Sequence, residues 1–203
     1  MGRKQLWDQD AVLASAMQLF RRRGYFGASL RDIEEATGLH PGSLYRTFQS
    51  KDGLFHAALD TYNERIVQGR IRLYLLESDD PLAGIRSFFN SAIETGAEPD
   101  PGCLLTNTAI ESFALPQSAP GVHHGLAAIE GGLADALTRA RRHGDTPQDL
   151  DIPTTAAHLL ALYQGLLVLV RAGLPRTTLH SVTDGAMASI GSLRTSRKQN
   201  HHE

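Results

Sequence analysis

Two hydroxyls, an imidazole, a phenol and a guanidinium lie close together in one segment, on Ser29, His40, Ser43, Tyr45 and Arg46. No nucleophile motif or glycine-rich phosphate loop accompanies them, and the scattered carboxylates of the chain read as solvated faces, so no enzyme is expected. What these groups can do depends on the elements that hold them. Ser29-x-x-Asp32 is a capping-box start, in which each side chain reaches the other's backbone amide. Leu30, Ile33 and Ala36 then recur at helical spacing and predict one apolar face. Gly38 marks a reversal, because glycine alone takes the left-handed conformation cheaply. Pro41 suits a first helical turn, where its missing N–H costs nothing. Leu44 and Phe48, four apart, point inward and leave His40, Pro41, Gly42, Ser43, Tyr45 and Arg46 on the outer side. Two short helices joined by a tight turn form the helix-turn-helix pattern, whose second helix enters the DNA major groove. The same spacing also fits an ordinary helical hairpin inside an all-α protein.

Leu44 to Phe55, reading Leu-Tyr-Arg-Thr-Phe-Gln-Ser-Lys-Asp-Gly-Leu-Phe and preceded by Gly38 and Leu39, closely resembles the signature of the tetracycline-repressor-like (TetR) family of transcription regulators. The resemblance covers roughly the first quarter to third of the chain. It implies that Ser29 bonds a backbone phosphate at a helix start, and that Tyr45 and Lys51 contact phosphates. It places His40, Pro41, Gly42 and Ser43 at the tip of the recognition helix, within reach of base edges. Arg31 and Arg46 can reach a phosphate or a guanine, and the sequence does not decide which.

The chain has 203 residues, a net charge of −2 and 41% hydrophobic residues, which suits an ordinary globular protein. An architectural DNA-packaging protein would need more positive charge. A single cysteine excludes an intrachain disulfide and fits a reducing interior. The polar N-terminus lacks a signal peptide's apolar core, so a cytoplasmic location with no membrane partner is expected. Leu159 to Val170, interrupted by Gln164 and Gly165, reads as a buried helix too short to span a bilayer.

In order, residues 1–7 form a basic arm with Arg3 and Lys4. A first helix from Asp8 or Asp10 carries Val12, Ala16, Leu19 and Phe20 inward and ends at Arg21-Arg22-Arg23-Gly24, the arginines reading as a solvated helix end. These residues and the reader form a three-helix DNA-binding domain over 1–50. A connecting helix over 51–76 starts at Ser50. Leu54, Phe55, Ala58, Leu59 and Tyr62 anchor it to the reader, and Leu73, Leu75 and Leu76 carry it into the body. Residues 77–195 form an all-α body with segments near 81–95, 102–113, 119–143, 153–172 and 178–195, and 196–203 form a tail. The double His at 201–202 is too little for a metal site.

The resemblance implies a homodimer on a palindromic double-stranded operator, held by the last two helices, with Leu159, Leu166, Val170, Leu179, Val182, Ala186, Ser189 and Leu193 as the interface. The alternative is that these residues only complete the protomer's core. It also implies a cavity for a small-molecule inducer. Candidate lining residues are Phe88, Phe89, Ala92, Cys103, Thr106, Asn107, Ile110, His123, His124, Tyr163, Gln164 and Leu167, which suit a moderately hydrophobic molecule. Cys103 opens a helix and is either a thiol sensor of electrophiles or oxidants or a small buried hydrophobe. No histidine spacing repeats as a metal site would require, and no cofactor is expected. A helical interaction module that does not bind DNA is the rival from another class.

Overall fold

The computed structural model describes residues 8–94, 101–111, 113–190 and 192. The basic arm, the C-terminal tail and Leu193 lie outside them. Among the described residues ten α-helices follow in order: α1 Gln9–Gly27, α2 Leu30–Thr37, α3 Pro41–Phe48, α4 Lys51–Tyr62, α5 Gln68–Arg70, α6 Pro81–Asn90, α7 Leu104–Glu111, α8 Ala119–His143, α9 Ile152–Arg171 and α10 Arg176–Ser189. Wide π turns at Asn63–Val67 and Ile71–Leu76 flank α5, and a 3₁₀ turn at Pro116–Ser118 precedes α8. No strand occurs among the described residues, so the fold is all-α, with an N-terminal helix-turn-helix.

The chain divides into two compact units, Met1–Gly69 with Gly96–Ala127, and Arg70–Thr95 with Ala128–Glu203. This differs from a simple cut at residue 77, because α7 belongs with the first unit. In that unit α1 packs against α2, α4 and α7. Its core is aromatic: Phe20 meets Phe55 edge-on at 4.9 Å between centroids, and Tyr25 meets Phe55 at 5.1 Å. Asp8 caps α1 by accepting from the Asp10 amide at 2.9 Å. Val12, Ala16, Leu19 and Phe20 are all buried. The helix is interrupted at Gly24, whose φ is 69°.

In the second unit α10 packs on α6 and α9, and α6 packs on the Ile71–Leu76 turn. Phe88 and Phe89 close on Tyr163 with centroids 4.5 and 5.3 Å apart. α9 is longer than its uninterrupted apolar run, because it begins at Ile152 behind an Asp151 cap. At 20 residues and a mean hydropathy of 1.4 it has the length and composition to cross a membrane, a test that buried core helices also pass. Its larger side chains, Leu159, Tyr163, Leu166 and Leu167, are buried in the protein.

Three leucines depart from the sequence reading. Leu30 is 40% exposed, so Ile33 alone of the α2 apolar positions is fully covered. Leu73 and Leu76 are 57% and 46% exposed, whereas Leu75 is completely buried. The π turn over Ile71–Leu76 widens the helical period there, and Leu75 and Ile71 occupy the inner face.

Candidate nucleic-acid interface

The reader is built by local signals. Ser29 Oγ accepts from the Asp32 amide at 3.2 Å, and Asp32 Oδ2 accepts from the Ser29 amide at 2.8 Å, completing the capping box. The bonds from Ser29, with Arg23 alongside, hold the Asp32 carboxyl below the usual carboxylate range. Gly38 ends α2 in the left-handed region (φ 69°), and its amide bonds Glu34 O at 2.8 Å. Pro41 occupies the first turn of α3, with Leu44 and Phe48 buried beneath.

His40, Pro41, Gly42, Tyr45 and Arg46 are exposed along one side of α3, and Ser43 is half-buried beside them. Ser29 and Arg31 are exposed at the start of α2. Within the free protein several of these groups have carboxylate partners. Arg31 Nε lies 3.0 Å from Glu35 Oε1, and His40 Nδ1 lies 2.6 Å from Glu34 Oε1. A phosphate at Arg31 would replace an exposed ion pair, which contributes little in water.

A strained turn fixes how α3 hands over to α4. Gln49 has φ 65° and ψ −35°, and the Ser50 amide bonds Phe48 O at 2.8 Å, a γ-turn of the rare positive-φ kind. Ser50 then caps α4 by accepting from the Gly53 amide at 3.0 Å, and Lys51 opens the helix. Gln49→Gly is expected to relieve this strain and stabilise the protein by about 1 kcal/mol, raising the thermal midpoint by roughly 2–4 °C; calorimetry checks it.

Lys51 does not stand alone. Its ammonium lies 4.1 Å from the centre of the Tyr25 ring. Burial pushes its pKa down, and Asp52, Glu111 and Asp32 pull it back up. The Tyr25 hydroxyl donates to Asp52 Oδ1. Burial, followed by that bond and the charge on Asp52, pushes the phenol from 10.0 up to about 12. Its protonated form is thus favoured by folding: the contribution is complete below the ordinary value and is lost as pH climbs through about 12.

α7 is tied to this assembly at three points. Glu111 Oε2 accepts from the Tyr25 amide at 2.9 Å. Asn107 Nδ2 donates to Arg21 O and Pro101 O, each at 3.1 Å. Arg21 Nε donates to Gly102 O at 2.8 Å. Gly24 is favoured at the kink by its positive φ, and a Cβ there would lie 2.1 Å from Glu111 Oε1, so the Glu111 carboxylate would have to shift from the Tyr25 amide. Arg21 is thus half-buried and tied down, whereas Arg23 stays exposed as the sequence suggested and pairs with Asp32 at 2.5 Å on the surface. Tyr25, Asp52 and Glu111 were missed from sequence. Asp52, beside Lys51, was the visible one; the bond from Tyr25 to Glu111 spans 86 positions and leaves no local pattern.

The remaining candidates divide between the units. Phe88, Phe89, Ala92, Tyr163 and Leu167 are buried in the second unit, with Gln164 half-buried among them. Cys103, Thr106 and Asn107 are buried in the first, whereas Ile110, His123 and His124 are exposed there. Asn107 binds backbone carbonyls, which is a structural task. Cys103 is 7% exposed, and its Sγ accepts from the Tyr62 hydroxyl at 3.3 Å. Among the interface candidates, Leu159, Leu166, Val170, Leu179 and Ala186 are buried within the protomer, and Val182 and Ser189 are half-buried. These five side chains are covered within the protomer itself.

A short helix-turn-helix with an exposed, donor-rich second helix, carried on an all-α protein, defines a DNA-binding regulator. Bacterial regulatory proteins of the tetR family match residues 12–58, and the tetracyclin repressor-like C-terminal domain matches residues 81–184. The chain is 29% identical over 178 residues to the HTH-type transcriptional repressor ComR of Escherichia coli K12, covering 85% of this chain and 83% of that one. It is 27% identical to the regulator UidR of the same strain, covering 91% of each. A cysteine mutant of the TetR family regulator CifR, complexed with 26 bp double-strand operator DNA, superposes with a TM-score of 0.81 at 28% identity, covering 93% of this chain and all of that one. The protein belongs to the TetR family of transcriptional regulators, which are DNA-binding proteins and not enzymes.

Proposed function

We propose that the protein is a homodimeric repressor that binds a palindromic operator and is released from it by a small molecule. The observation that carries the reading is the exposed face of α3, where Tyr45 and Arg46 project beside the tip His40 to Ser43 while Leu44 and Phe48 lock the helix from behind. Ser29, Tyr45 and Lys51 supply phosphate contacts that set register. His40 and Ser43 supply hydrogen bonds to base edges, and Arg31 and Arg46 extend the cationic surface. Two such faces on a two-fold axis would read half-sites about 34–36 Å apart.

A pairing surface is available on the last two helices. Ala157, Ala161, Gly165, Val168 and Ala172 form an exposed stripe on α9, and Ser181, Gly185, Ala188 and Ser192 form another along α10 and just beyond it. Val168 is 44% exposed. A Cβ at Gly165 or Gly185 would meet no atom within 4 Å, so two helix backbones can approach closely there. ComR is named a repressor and CifR is seen on operator DNA, which supports the same mode here.

A gel shift of the purified chain on its own gene's upstream region tests the reading; no preference over random competitor at modest ionic strength overturns it. Lys51→Ala is expected to weaken binding across sequences and to flatten the dependence of log affinity on log salt by about one unit, the value of one lost phosphate contact. An unchanged slope would remove Lys51 from the contact set.

A further inference from the structure

Three carboxylates lie near the Lys51 ammonium, yet none takes it. Burial lowers the Lys51 pKa, and Asp52, Glu111 and Asp32 are the charges that oppose this. Among the described residues the ammonium pairs with none of them; it rests on the face of Tyr25, 4.1 Å from the ring centre. Other cations of the same unit are paired: Arg23 with Asp32 at 2.5 Å, Arg31 with Glu35 at 3.0 Å and Arg65 with Asp10 at 2.7 Å. The three carboxylates around Lys51 are all engaged elsewhere. Asp52 Oδ1 accepts from the Tyr25 hydroxyl. Glu111 Oε2 accepts from the Tyr25 amide at 2.9 Å. Asp32 accepts from the Ser29 amide at 2.8 Å and pairs with Arg23. One residue, Tyr25, thus carries the cation on its ring and holds two of the three competitors, by its hydroxyl and its amide.

A carboxylate and a ring order a lysine differently. A carboxylate cancels the charge and has to be displaced before a phosphate can bind. A ring face attracts the ammonium through its quadrupole and leaves the charge and the N–H donors to a third group. The lysine stem is flexible, and fixing it is a cost of association unless the free protein has already met it. Tyr25 is itself held in place: its ring meets those of Phe55 and Phe26 edge-on, with centroids 5.1 and 5.2 Å apart. Lys51 is moreover the first residue of α4, at the helix end that favours an anion.

We propose that Tyr25 is a positioning residue for DNA binding, presenting Lys51, ordered and unpaired, to an operator phosphate. The inference rests on the Lys51 phosphate contact proposed above. The test combines titrations of the full chain on the duplex of its own gene's upstream region with proton NMR of the free protein. Tyr25→Leu is expected to weaken binding about tenfold, because each reader of the dimer must then order its own lysine. Tyr25→Phe keeps the ring and is expected to recover most of that loss. In a Lys51→Ala background the Tyr25→Leu step is expected to cost less than about twofold, since no ammonium is left to position. The Lys51 ε-methylene protons are expected upfield of the usual lysine position in the parent and in Tyr25→Phe, through the ring current, and at the usual position in Tyr25→Leu. Three results each overturn the proposal: usual Lys51 shifts in the parent, binding by Tyr25→Leu as tight as the parent's, or an equal loss from Tyr25→Leu with and without Lys51. The first needs no variant, so the proposal stays falsifiable should Tyr25→Leu not fold. Lys51→Ala alone separates the two readings. An unchanged salt slope removes the phosphate contact and this proposal with it, whereas a flattened slope beside any of the three results overturns the role of Tyr25 alone.

Discussion

Gly53→Ala is expected to destabilise the protein by about 3 kcal/mol and to lower its thermal midpoint by roughly 10 °C. The reason is one atom. The γ-turn at Gln49 swings the Phe48 carbonyl toward the first turn of α4, and a Cβ on Gly53 would lie 1.9 Å from Phe48 O and 3.0 Å from its carbon. The obstacle is backbone, so no side-chain rotation relieves it. Either the turn opens, which loses the Ser50 to Phe48 bond, or α4 slides and uncovers Leu54 and Phe55, both buried under the reader. Each route also displaces α3 from Lys51, so operator affinity should fall along with stability. Gly69→Ala is the control: no atom lies within 4 Å of its Cβ position, and alanine is the better helix former, so stability should hold or rise by up to about 1 kcal/mol. If Gly53→Ala melts with the parent, the junction is looser than the geometry requires.

The parts of the reader that sequence revealed are those governed by neighbours within four positions: the Ser29–Asp32 box, the Gly38 reversal, Pro41 in the first turn, and the Ser50 cap. Such signals are local, and tertiary packing had no stronger claim on those residues. The bounds of α8 were equally legible, with Pro and Gly clusters at either side of Ala119–His143. Leu30 was misread because apolar spacing says that a face exists but not how wide it is, and α1 covers only Ile33 fully. The strained Gln49 left no trace, since glutamine is not a residue that favours positive φ.

Long-range placement was the larger loss. Nothing around Glu111 indicates that its carboxylate meets the Tyr25 amide, and nothing around Arg21 indicates Gly102 as its acceptor. These bonds put α7 in the first unit and place Cys103 against Tyr62. Phe88 and Phe89, read from sequence as part of a ligand lining with Tyr163, do meet that ring, with centroids 4.5 and 5.3 Å apart. A hollow of about 320 Å³ lies on the polar face of the same helix, beside Tyr74, Ser87, Asn90, Ser91 and Glu94.

For the proposed dimer, the same logic selects which side of α9 is open to a second copy. A helix apolar nearly all round has two candidate stripes, and spacing cannot rank them. Burial area ranks them: the stripe of large side chains, Leu159, Tyr163, Leu166 and Leu167, removes more apolar surface from water and so goes inside the protomer. The stripe of small residues is left outside, with Gly165 at its centre. Gly165→Glu is therefore expected to separate dimerisation from folding. A Cβ at this position meets no atom of its own protomer within 4 Å, and replacing a helical glycine should raise the protomer's stability by up to about 1 kcal/mol. Across a two-fold axis the same glutamate would face its symmetry mate in a close helix pair, combining a steric block with like-charge repulsion. Sedimentation at micromolar concentration should then show a monomer with unchanged helix content. Operator affinity should fall by about 100-fold or more, because the second reader no longer binds at the effective concentration that linkage to the first provides. A Gly165→Glu protein that stays dimeric would move the interface to another face. One that is monomeric yet binds the operator as tightly as the parent would show that a single copy of α3 is enough, and the two-fold reading would fall.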